Sequence, residues 1–145
     1  MNKKIFFRAS LWLPPLLWMA LIFHFSSGSV PVASTVYWQD FTVKKTGHML
    51  LFGALAILLY RAFVGEGMDR KKAAIWAIIL STFYGGTDEF HQLFTQGREA
   101  RVRDVLIDGI GASVFTFLIY YILPKKILPK MPKEVVELAR KLQLI

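Results

Sequence analysis

The sequence predicts an all-α integral membrane protein, a bundle of four transmembrane helices followed by a short amphipathic C-terminal helix. Of the 145 residues, 54% are hydrophobic and only 19% are charged, and the mean hydropathy is +0.43. A soluble domain has about 45–50% apolar and about 25% charged residues. The apolar residues form four runs, each near the roughly 20 residues that a membrane-spanning helix needs. The polar segments between them are too short for a separate soluble domain.

The four runs cover approximately residues 5–25, 47–64, 73–92 and 105–123. Pro14 and Pro15 should kink the first run, and Pro124 should end the fourth, because proline removes a helix hydrogen bond. The third run becomes polar after Tyr84 but keeps helical spacing. The basic start and the small residues after the first run also resemble a signal peptide, but the spans that follow favour a retained first helix. The sequence therefore predicts a transmembrane domain over residues 1–128 and a cytoplasmic tail over 129–145.

The tail contains one apolar stripe at helical spacing, formed by Val135, Leu138, Ala139 and Leu142. The opposite face is charged, which is typical of an amphipathic helix. We expect this helix to lie on the inner membrane surface, attracted to anionic lipids. A frayed soluble tail is the alternative.

The basic residues predict the orientation. With both termini on the cytoplasmic side, 13 basic residues lie inside and 5 lie outside. The positive-inside rule therefore favours cytoplasmic N- and C-termini. In so hydrophobic a chain, the net charge of +8 is explained by these flanks, and no nucleic-acid partner is expected. The absence of cysteine excludes disulfides, thiol catalysis and thiolate metal sites.

Ionisable residues gather near the outer ends of the second, third and fourth runs. Lys45 and His48 share one helix face, as do Asp88, His91 and Gln92 of the third run. Asp104, Asp108 and Gly111 form a third stripe. A charge in a span costs about 2.5–3.5 kcal/mol on insertion scales, so such residues usually pair or serve function. We therefore expect one outward-facing polar pocket.

This constellation permits several kinds of chemistry. A carboxylate or imidazole could move protons while a cation holds an anionic group. Carboxylate oxygens could also hold a divalent cation, although spacing of this kind is common by chance. The structural alternative is that the acids only pair with Lys45, Arg98, and Arg101 or Arg103 to lock the helices together. A proton-coupled transporter is disfavoured, because polar residues at one end do not make a two-sided path.

The residues match the pattern of a known family. Lys45-Thr46-Gly47-His48 opens an apolar span, Asp88-Glu89-Phe90-His91-Gln92-Leu93-Phe94 and Arg98 follow, and then come Asp104, Asp108 and Gly111. With Ser26-Ser27 at the end of the first span, this set resembles the VanZ-like family over about residues 11–123. Many members carry Asp before the lysine, where this chain has Lys44.

The resemblance implies a small bacterial protein of the cytoplasmic membrane and a role in teicoplanin tolerance, but no defined reaction and no known cofactor. The leading hypothesis is a pocket that recognises an anionic envelope lipid or a lipid-linked cell-wall precursor. The alternative is a hydrolase or transferase acting on a phosphate- or acyl-linked lipid head group, with or without a metal ion. The candidate catalytic residues are Asp88, Glu89, His91, His48 and Asp104. The candidate substrate-binding residues are Lys45, Gln92, Arg98 and Asp108, and no metal ligands are assigned.

Overall fold

The computed structural model describes residues 3–28, 35–96 and 100–145, and within these ranges the regular structure is entirely helical. Four long helices form the bundle, and a short fifth helix follows. Their bounds are α1 (Lys3–Ser26), α2 (Tyr37–Gly65), α3 (Arg70–Gln92), α4 (Val102–Phe117) and α5 (Lys133–Lys141). The predicted all-α class and the short C-terminal helix are confirmed.

Within the described ranges, three helical segments are long and apolar enough to cross a membrane. These are residues 4–26, 37–65 and the continuous helical stretch 102–130. The expectation of four apolar spans is therefore wrong for α3, which is not among them. The physical reason is that the last two turns of α3 carry Asp88, Glu89, His91 and Gln92, which lower its hydropathy.

The helix that begins with α4 does not end at Pro124, contrary to the sequence prediction. It continues as a π-helical segment, Leu118–Ile127, with Pro124 inside it, and then as a 3₁₀ turn, Leu128–Lys130. Wider turns are a recognised way for a helix to absorb a residue that cannot donate its hydrogen bond. Pro14 and Pro15 likewise lie inside α1.

The turn between α2 and α3 is specified locally. Gly67 adopts a positive φ of 90°, and the next amide, that of Met68, donates to the Phe63 carbonyl at 3.0 Å. This is how glycine commonly ends a helix. Asp69 then caps α3, accepting hydrogen bonds from the backbone amides of Lys71 and Lys72. The two helices are therefore joined as a tight antiparallel pair.

The core lies between α2 and α3 and is joined by α1. Its buried side chains are Ile22, Phe52, Leu55, Leu59, Tyr60, Ala73, Ala74 and Ala77. Large apolar side chains such as Phe6, Leu17 and Phe83 instead face outward and are exposed. An apolar exterior of this extent fits a lipid environment.

The tail folds against the end of the bundle opposite the polar residues. Arg61 of α2 donates from Nε to the Leu142 carbonyl at 3.1 Å and from Nη1 to the Ser10 carbonyl at 3.0 Å. Ala139 is buried, whereas Val135 and Leu138 are exposed. The alternative of a frayed tail is therefore not what the structure contains, while contact of its exposed apolar face with the membrane stays a prediction.

Candidate functional site

A cavity of about 900 Å³ lies at the end of the bundle where α1 and α3 end and α2 and α4 begin. This volume is in the range of pockets that hold small molecules or head groups. All four helices contribute to its wall. Five of the sequence-predicted site residues line it, namely Lys45, His48, Asp88, Gln92 and Asp104.

Lys45 and Asp104 form an ion pair across the cavity wall. Lys45 Nζ lies 2.5 Å from Asp104 Oδ2, and their side chains are 17% and 7% exposed. Arg103 Nε lies 3.6 Å from the other oxygen, Asp104 Oδ1. The lysine was predicted to hold an anionic ligand, but here a carboxylate already neutralises it. An anion that uses Lys45 has to compete with Asp104.

His48 faces the cavity with a carboxylate behind its ring. His48 Nδ1 lies 3.1 Å from Asp108 Oδ1, and Asp108 is only 1% exposed. The imidazole also stacks on Phe52, with 6.3 Å between ring centroids. A Cβ added to Gly85 would lie 2.9 Å from Asp108 Oδ2, so the glycine makes room for this carboxylate. Asp108 therefore orients the imidazole, as a carboxylate does for many catalytic histidines.

Asp88 is buried without a cationic partner among the described residues. Its Oδ2 accepts a hydrogen bond of 2.9 Å from Gln92 Nε2, one helical turn away, as the i, i+4 spacing predicts. Its Oδ1 is buried and has no hydrogen-bond partner in the described part of the chain. Removing a polar atom from water without a partner costs free energy. The proposed pairing of Asp88 as a structural lock is therefore not seen within these residues.

Two further predicted residues, Glu89 and His91, do not line the cavity. Glu89 Oε2 accepts a hydrogen bond of 2.7 Å from the backbone amide of Arg101, the residue that precedes α4. His91 Nε2 lies 3.2 Å from Ser27 Oγ, and its ring centroid is 4.3 Å from that of Phe23. These contacts join α3 to the start of α4 and to the end of α1. Arg98 lies outside the described residues.

Ser26 and Arg103 are among the lining residues that the predicted site did not include. Ser26 is 4% exposed, and its Oγ has no hydrogen-bond partner in the described ranges. The Ser26-Ser27 pair carried part of the family resemblance but was given no place in the site. The sequence did contain a signal for Ser26, since this hydroxyl residue ends an apolar span on the same side of the membrane as the acidic residues.

The rim of the cavity is rich in basic residues. Lys44 Nζ pairs with Asp40 Oδ2 at 2.6 Å. The Arg103 guanidinium lies 4.8 Å from the Phe41 ring centroid, close enough for a cation–π contact. Arg101 also lines the cavity. The site thus has a basic rim and buried carboxylates further in.

The structure gives no support to a metal site within the described ranges. No group of three or more His, Cys, Asp or Glu side chains there has an arrangement that could hold a metal ion. The carboxylates of Asp104, Asp108, Asp88 and Glu89 are instead engaged one by one, by Lys45, His48, Gln92 and the Arg101 amide respectively.

The fold and the cavity define a small α-helical membrane protein with a polar site at one end of its bundle. The family model described as VanZ/LLP1 matches residues 11–124 of the chain. The chain belongs to the VanZ/LLP1 family, which confirms the resemblance noted from its motifs. No curated protein and no solved structure is similar enough to count as a match.

Proposed function

We propose that the chain is a multi-pass protein of the bacterial cytoplasmic membrane whose cavity faces outward and binds the polar head group of an anionic envelope lipid or a lipid-linked cell-wall precursor. The observation that carries this proposal is the cavity itself, which combines a basic rim with buried polar atoms at the end of an apolar bundle. A lipid can reach such a site laterally, with its acyl chains along the bundle and its head group in the cavity.

The orientation depends on α3. We propose that α3 also crosses the bilayer, with its carboxylates shielded by α2 and α4. Asp88 and Glu89 are both buried within the bundle, so they are not presented to lipid. Four crossings then place both termini on one side, and the 13 basic residues on that side favour the cytoplasm.

We expect a basic residue at the rim of the cavity, Arg103, to bind the anionic group of the ligand. The Arg103 side chain is 46% exposed while contacting Asp104 and Phe41. A guanidinium presents a planar fork of donors that matches a phosphate group. Arg103 is therefore the residue we expect to bind the phosphate, whereas the sequence pattern favours Lys45 and Arg98 for this role.

Mass spectrometry of lipids that co-purify with the protein tests this proposal. We expect one class of lipid with an anionic phosphate group to be enriched over the bulk membrane, and Arg103→Gln to reduce that enrichment about tenfold, as loss of a charged hydrogen bond predicts. The matched control is Lys72→Gln, an exposed cation at the opposite end of the bundle. A lipid profile identical to the bulk membrane would refute the proposal.

The pair of His48 and Asp108 supports the enzyme alternative. An imidazole on the cavity wall, oriented by a buried carboxylate, is placed as a general base is in hydrolases and transferases. If a head group is cleaved or transferred, His48→Gln should abolish formation of the product and leave lipid binding intact. Incubation of the purified protein with its co-purified lipid, followed by mass spectrometry, makes this distinction.

A contribution to teicoplanin tolerance is proposed on family membership alone. We expect expression of the chain in a susceptible host to raise the minimal inhibitory concentration of teicoplanin. Expression of Arg103→Gln should not raise it. If the unaltered chain and Arg103→Gln raise the inhibitory concentration equally, tolerance does not depend on Arg103 in the cavity.

A further inference from the structure

Three side-chain oxygen atoms of residues that line the cavity lack hydrogen-bond partners in the described part of the chain. These are Asp88 Oδ1, Asp104 Oδ1 and Ser26 Oγ. Of the three, Asp104 Oδ1 lies 3.6 Å from Arg103 Nε, within ion-pair distance but beyond a hydrogen bond. Each belongs to a residue that lines the cavity and is at most 5% exposed. Buried polar atoms in folded proteins are nearly always partnered. Three such atoms in residues that line one cavity are acceptors that the donors of a ligand can use.

The charge of the Asp88 carboxylate indicates what kind of donor a ligand would bring. Asp104 is neutralised by Lys45, but Asp88 receives only the neutral amide of Gln92 among the described residues. An ionised carboxylate held without a counter-charge is costly, and a cation placed beside it removes that cost. A primary ammonium group brings one positive charge and three hydrogen-bond donors. Such a group supplies a counter-charge for Asp88 and donors for the open oxygens.

We propose that the ligand is a lipid or lipid-linked precursor whose phosphate ester carries a primary amine, with the phosphate at Arg103 and the ammonium group at Asp88, Ser26 and Asp104. This inference rests on the proposed function and names the class of head group that the cavity accepts. A head group with only hydroxyl groups would satisfy the open oxygens but would bring no positive charge to Asp88, which has no cationic partner among the described residues.

Binding of short-chain lipids to the purified full chain in detergent, followed by native mass spectrometry, tests the inference. The probes are phosphatidylethanolamine, N-acetyl-phosphatidylethanolamine and phosphatidylglycerol, of which only the first carries an ammonium group. We expect phosphatidylethanolamine to bind about tenfold more tightly than the N-acetyl form, since a charge-assisted contact is lost on acetylation. Soluble phosphoethanolamine should displace the bound lipid, whereas glycerol phosphate should not.

Variants then locate the ammonium group. Asp88→Asn should reduce phosphatidylethanolamine affinity about tenfold and abolish the preference for phosphatidylethanolamine over its N-acetyl form. Ser26→Ala should reduce the first affinity by a smaller factor. The matched control is Glu137→Gln on α5, an exposed acid whose removal should change neither affinity.

The outcomes separate the two proposals. Equal affinity of the unaltered chain for the amine and its N-acetyl form would overturn the ammonium inference and leave anionic head-group binding standing. No binding of any of the three lipids would overturn the proposed function itself. Because the comparison of lipids uses the unaltered chain, the inference stays open to refutation even if Asp88→Asn fails to fold.

Discussion

Lys45 and Asp104 tie the start of α2 to the start of α4, with Lys45 Nζ 2.5 Å from Asp104 Oδ2 at the wall of the cavity. Asp88 lines the same cavity and has no such cation among the described residues. Two carboxylates that look alike in the sequence therefore have different surroundings. One stabilises the contact between two helices, and the other has a carboxylate oxygen without a hydrogen-bond partner in the described part of the chain.

The first prediction concerns this ion pair. Asp104→Asn leaves the Lys45 ammonium group largely buried without its counter-charge, and we expect the free energy of unfolding to fall by about 3 kcal/mol. Unfolding in mixed detergent micelles measures the change. The double exchange Lys45→Asp with Asp104→Lys should recover most of the loss. No recovery in the double variant would show that the pair does not carry the effect.

Much of this arrangement could be predicted from the sequence because it depends on periodicity. Asp104, Asp108 and Gly111 are all buried, as their spacing along one face of α4 predicts. The spacing of Lys45 and His48 likewise brought both to the cavity. Helical spacing reports which residues share a face, and the positions of the apolar runs report which ends of the helices meet.

The remaining features depend on contacts that periodicity does not report. Glu89 adjoins Asp88 in sequence, yet it accepts from the Arg101 backbone amide, and no side-chain pattern encodes that partner. His91 turns towards Phe23 of α1, although its spacing groups it with Asp88. The passage of the last span through Pro124 depends on a wider helical turn, which hydropathy does not reveal.

The second prediction concerns the closest approach of α2 and α4. A Cβ at Gly111 would lie 2.5 Å from the Met49 carbonyl oxygen and 2.8 Å from its Cα, so the backbone of α2 would have to move. We expect Gly111→Ala to lower the free energy of unfolding by about 1–3 kcal/mol. Unfolding in mixed micelles again provides the measurement.

The matched control for Gly111 is Gly86, a helical glycine whose added Cβ would meet nothing within 4 Å. Gly86→Ala should be neutral or stabilising by about 0.5–1 kcal/mol, because alanine loses less backbone entropy in a helix. Equal destabilisation by both substitutions would mean that the α2–α4 contact is not the cause.

The third prediction concerns topology and follows from the asymmetry of 13 basic residues against 5. The chain contains no cysteine, so each introduced thiol is unique. Thr35→Cys and Gln96→Cys, both exposed at the cavity end, should react with a membrane-impermeant thiol reagent in intact cells. Lys72→Cys, exposed at the opposite end, should react only after lysis. The reverse pattern would place the cavity on the cytoplasmic side.

The fourth prediction separates a functional acid from a structural one. Asp88→Asn keeps the shape of the side chain and removes a charge that no described cation neutralises. In contrast to Asp104→Asn, it should leave abundance in the membrane and the thermal midpoint in detergent unchanged or raised, because the buried charge that is lost has no cationic partner in the described ranges. Enrichment of the co-purified lipid should nevertheless disappear. If Asp88→Asn unfolds as readily as Asp104→Asn, Asp88 has a structural role. If Asp88→Asn is stable and still binds its lipid, Asp88 is not part of the binding site.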